Sequence, residues 1–108
     1  MAQFQIYSGF SLVGWSAFEN GDPSMGVAFG NFEPAEGYHV IENECRSNHS
    51  DQSSLNLSVQ TVDGMTIPCA GVSILDYSQP LEDRCIEVSI LGMAHSLYQE
   101  LFPRQVAM

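Results

Sequence analysis

Cysteine and histidine are the residues of this chain that come nearest to a metal-binding or catalytic set. Cys45 and His49 stand four apart, with His39 upstream and Asp51 just downstream. On one helix face such a Cys/His pair can ligate zinc, which takes thiolate and imidazole ligands in a tetrahedral set. The spacing works against it here, because His39 and Cys45 point to different sides of a helix and His49 falls past its expected end. A buried thiol and two solvated histidines account for the same residues. A thiol nucleophile would need Cys45, Cys69 or Cys85 beside His95, and the contexts of known catalytic cysteines are missing. No GxSxG, GxGxxG or GxxxxGK[ST] occurs. Carboxylate neighbours such as Glu42 with Glu44, or Glu82 with Asp83, point apart on a helix and read as a solvated acidic face. The expectation is a protein that is not an enzyme, with no metal ligands and no cofactor.

The acids matter more as a population. Thirteen carboxylates face three cations, Arg46, Arg84 and Arg104, with no lysine, for a net charge of −10. Such a surface repels phosphate backbones and anionic lipid, and attracts basic proteins. Nucleic acid and membrane are therefore disfavoured as partners. The eleven aromatic residues are not interleaved with basic ones, so they do not read as a base-stacking platform. Core packing is their default role, and some of them suit a protein interface.

The elements that would position these residues follow from periodicity. A length of 108 residues suits one domain, 1–108, with a single modest core. Phe4 and Ile6 alternate as in a strand, and Ser11 to Phe18 is β-like. Asn20-Gly21 is a turn signal, and Met25 to Phe32 reads as a return strand. Pro34 opens a helix running to about Arg46, with Tyr38, Ile41 and Cys45 at i, i+3, i+7 on its buried face. Leu55, Leu57, Val59 and Thr61 alternate, Asp63-Gly64 turns, and Met65 to Cys69 returns. Val72 to Tyr77 continues the sheet. Cys85 to Leu91 alternates again, with Ile86, Val88 and Ile90 on one face, and a helix from about Met93 to Phe102 stops at Pro103. The expected fold class is α+β: one mostly antiparallel sheet of four to six strands with two helices packed on it. The opening MAQFQIYSGFSLVGW lacks a basic n-region and an uninterrupted apolar run, so no secretory signal is expected. With an odd cysteine count and no CxxC, reduced, structural thiols and a cytoplasmic location are expected.

The stretch GWSAFE, followed by DPSMGVAFGNFEP to Pro34, resembles a pattern in small bacterial immunity proteins of polymorphic and contact-dependent inhibition toxins. It covers about a fifth of the chain. The resemblance implies a protein that neutralises a toxin domain, and it transfers no site residues.

Charge and resemblance lead to the same expectation, an immunity protein that binds a basic, nuclease-type toxin domain through an acidic surface. The acids are densest around the first expected helix, at Glu33, Glu36, Glu42 and Glu44, with Asp51 in the loop after it and Arg46 alone opposing them. These five are the expected partner-binding residues. A DNA mimic or another regulatory protein-binding module would use the same charges, and a small enzyme or metal-binding protein is disfavoured on the grounds above. Acidity that serves solubility alone fits the same composition.

Overall fold

A computed structural model of the chain describes residues 4–48, 52–77 and 86–102. Among the described residues, eight strands form two antiparallel sheets of four. The first sheet orders β5 (Glu33–Pro34), β2 (Ser11–Ser16), β1 (Phe4–Ser8) and β6 (Leu57–Gln60). The second orders β3 (Asn20–Asp22), β4 (Val27–Asn31), β8 (Ile86–Leu91) and β7 (Gly71–Asp76). The expected α+β class with antiparallel pairing holds, and the expected single sheet is corrected to two. The chain changes sheet between β4 and β5, at Phe32. Its N–H still donates to the Ile86 carbonyl at 2.9 Å, while Glu33 already pairs with Trp15. A period-2 pattern fixes which residues face inward, but not which strands share a ladder.

Alternation does choose the faces. Phe4 and Ile6 from β1, Val59 from β6, Ile74 from β7 and Ile86, Val88 and Ile90 from β8 all lie in one buried cluster. Phe4, Phe18 and Phe102 close part of this core with ring centroids 5.4–6.2 Å apart. These are separations at which offset and edge-on aromatic pairs are favourable.

The β1–β2 connection is a two-residue turn, Gly9-Phe10, between the paired Ser8 and Ser11. Gly9 has φ 61° while Phe10 does not enter positive φ, the type II′ pattern that matches strand twist. The Asn20-Gly21 signal is displaced: both residues pair with β4, and the turn is the next segment, Pro23–Met25. There Pro23 presets φ, and the Asp22 carboxylate accepts from the Ser24 N–H at 3.1 Å and its hydroxyl at 2.6 Å. The Asp63-Gly64 turn lies where expected, with the Thr61 N–H donating to the Met65 carbonyl at 2.9 Å. Its return limb is shorter than expected: it makes one bridge, Thr66 to Gln60, and the Ile67 N–H donates to the Val59 carbonyl at 2.9 Å.

The long first helix is replaced by three pieces: β5, a 3-10 segment Glu36–Val40, and α1 (Glu42–Ser47). Pro34 pairs with Gly14 in the sheet instead of opening a helix, and the Ala35 N–H donates to the Val13 carbonyl at 2.8 Å. Gly37 then passes so close to the Leu12 carbonyl that a Cβ would collide with it. Tyr38, Ile41 and Cys45 are nevertheless all buried, because a 3-10 turn also brings residues three apart onto one side. The last helix, α2 (His95–Leu101), is shorter than expected and packs beside the Pro23–Met25 turn, where the Tyr98 hydroxyl donates to the Val27 carbonyl at 2.8 Å. Pro103 lies outside the described residues.

Candidate functional site

The expected acidic set divides by environment. Glu33 and Glu36 are exposed; Glu42 and Glu44 are half-buried on α1; Asp51 lies outside the described residues. Glu42 pairs with Arg46 at 3.2 Å, an i, i+4 contact on α1. Glu44 accepts from the Asn48 side-chain amide at 3.4 Å. Among the described residues, no ion pair or hydrogen bond engages the carboxylates of Glu33 and Glu36. Of the three arginines, Arg46 is the one within the described residues, and it sits between Glu42 and Asp76.

Asp76 has no place in the expected set, yet it organises this corner. Its side chain is fully buried at the end of β7. The Tyr38 hydroxyl donates to its carboxylate at 2.6 Å, and the Arg46 guanidinium approaches it at 3.5 Å. These contacts tie the 3-10 segment and α1 to the second sheet. Burial, then the hydrogen bond to Asp76, pushes the Tyr38 phenol far above its ordinary range. Burial likewise pushes the Cys45 thiol up to about 11, opposed by a hydrogen bond with Tyr38 and assisted by the charges of Asp76, Glu44 and Glu42. Burial thus disfavours the thiolate form of Cys45, which sits in the core. Cys45 and Cys69 are unpaired; Cys85 and His49 lie outside the described residues.

Next to this corner, Pro34, Ala35, Glu36, Tyr38, His39 and Glu42 line an open depression. It brings Glu36, His39 and Glu42 to one surface. The His39 Nδ1–H donates to the Glu36 carbonyl at 2.6 Å, since a carbonyl can only accept. Glu33 belongs instead to the outer face of the first sheet. There the pairing runs Glu33 to Trp15 to Gln5 to Gln60, and directly paired residues share a face. Trp15 is half-buried, as are Tyr7 and its partner Leu12 one step nearer the Gly9-Phe10 turn. Phe10 is fully exposed at the tip of that turn.

Two signals for these features stood in the sequence. Ser8-Gly9 between apolar runs marks a turn, which places Phe10 at a tip. Asp76 ends the apolar run VSIL, where a carboxylate must be partnered if it is buried.

No helix among the described residues is long and apolar enough to cross a membrane. Neither a family model, nor a curated protein, nor a solved structure matches the chain.

Proposed function

We propose that this chain is an immunity protein: it captures a basic protein, a nuclease-type toxin domain, and covers the surface where that toxin would hold phosphates. The observation that carries the reading is the charge of −10 with no lysine, joined to exposed carboxylates at Glu33 and Glu36 that meet no cation among the described residues. Carboxylates of this kind stay solvated and extend their field toward an approaching cationic surface. Complementary charge raises association rates, up to about 10⁸–10⁹ M⁻¹s⁻¹ at low salt. Speed is what a protector needs if it must reach the toxin before the toxin reaches its substrate. Phe10 adds an exposed aromatic of the kind that anchors interfaces.

The test is to express the chain with a toxin domain encoded beside it, and to measure stoichiometric inhibition of nuclease activity together with association rates over a salt series. A one-to-one complex whose association slows as salt rises supports the reading. A partner without net basic character, or rates indifferent to salt, overturns it and leaves the acidity as a solubility feature.

A further inference from the structure

The first sheet has an outer face that combines an aromatic ring and an acid at one register level. Trp15 is flanked by Glu33 on β5 and Gln5 on β1, and Cβ atoms of directly paired residues lie about 4.5–5.5 Å apart. Trp15 has no aromatic ring partner among the described residues. α1 makes its main contacts with β7 and the 3-10 segment, α2 with the Pro23–Met25 turn, and the 3-10 segment packs against β2, where Gly37 meets the Leu12 carbonyl. Tyr7 continues the aromatic surface toward the tip.

We propose that this face is the docking surface for an arginine of the basic partner, with the guanidinium stacked on Trp15 and paired with Glu33. The inference rests on the basic-partner reading above and specifies where and how that partner is held. Charge and shape select the occupant. A ring face attracts a cation, arginine more often than lysine, and an adjacent carboxylate supplies the counter-charge. The planar guanidinium can stack on the ring and donate from its edge to the carboxylate at the same time, which a compact ammonium cannot do. Gln5 and Gln60 extend the row with amide groups able to bond the partner's backbone. An apolar peptide would leave Glu33 desolvated and unpaired, and an anionic partner would be repelled.

Trp15 is the sole tryptophan, so it reports on its own site. The experiment titrates the full chain with hepta-arginine and hepta-lysine peptides at low and high salt, following tryptophan fluorescence and calorimetric affinity. Expected are a saturable fluorescence change with hepta-arginine, tighter binding than hepta-lysine, and losses of about 2–5-fold for Glu33→Gln and for Trp15→Leu. Glu100→Gln, the same charge change on the exposed face of α2, should leave affinity nearly unaltered. If Trp15→Leu does not fold, the wild-type fluorescence response and Glu33→Gln decide. Peptide binding that is silent in Trp15 fluorescence, or is weakened as much by Glu100→Gln as by Glu33→Gln, overturns this docking face and leaves the basic-partner reading standing. Failure of the wild-type chain to bind either peptide at low salt overturns both.

Discussion

The corner built from α1, the 3-10 segment and β7 uses carboxylates differently from the outer face of the first sheet. In the corner, Asp76 is buried and receives a hydrogen bond from Tyr38 and the charge of Arg46, while Glu42 pairs with the same arginine. On and beside the outer face, Glu33 and Glu36 are exposed and engage no cation among the described residues. A desolvated carboxylate must be partnered internally, so it serves the architecture. A solvated one keeps its charge available for a partner's cation. Acids clustered in sequence from Glu33 to Glu44 therefore do not form one uniform surface, because the chain turns between sheet, 3-10 segment and helix within that stretch.

The contrast breaks most strongly at the edge of β7. The Gln52 side chain accepts from the Ile74 N–H at 2.8 Å and donates to the Ile74 carbonyl at 2.7 Å, closing the ladder as a neighbouring strand would. Gln52→Ala leaves both buried backbone groups without this partner, at about 1–3 kcal/mol each. Chemical denaturation should show a loss in that range or above, and an unchanged midpoint would mean that water replaces the amide at no penalty.

Next in size is Asp76→Asn, which removes the charge that Tyr38 and Arg46 meet. We expect a stability loss of about 1.5–3 kcal/mol, the scale of a hydrogen bond to a charged group, with salt-dependent association to a basic probe retained. A variant as stable as wild type that loses fast association would reverse the roles assigned to the two regions.

Alkaline pH probes the same corner more gently. The Cys45 thiol rises from its ordinary 9.0 to about 11 on folding, so the folded chain holds a proton that the unfolded chain releases in that interval. Stability is then unaffected below about pH 9 and falls as pH climbs toward the folded value, with Tyr38 acting in the same direction at higher pH. Urea midpoints should decline between about pH 9 and pH 10.5, and less steeply in Cys45→Ala. A profile that stays flat to the upper limit contradicts burial of these two groups.

The smallest effect sharpens the comparison from the other side. Glu33→Gln and Glu36→Gln should each change stability by no more than about 0.5 kcal/mol, as for surface positions outside packed networks, and should slow association with a basic partner. A stability loss comparable to that of Asp76→Asn would mean that these acids, too, are structural.

Local features were legible wherever a short stretch decides them. The alternation of Ile86, Val88 and Ile90 selected the inner face of β8, and Asp63-Gly64 marked its turn. The spacing of Tyr38, Ile41 and Cys45 picked three buried residues even though the backbone there is not one helix. The candidate surface was legible only as a density of acids. Trp15 opposite Glu33 could not be read, because that pairing joins strands whose register depends on where the chain leaves β4.

The sequence by itself determined the −10 charge, the inward and outward residues of most strands, and the antiparallel character implied by short connections. These depend on residue type and on neighbours a few positions away. Tertiary structure alone decided that there are two sheets, that Pro34 enters a strand, and that Asp76 meets Tyr38 thirty-eight residues upstream. Each of those outcomes is a competition between long-range partners for the same backbone or buried polar group, and local periodicity carries no term for that competition.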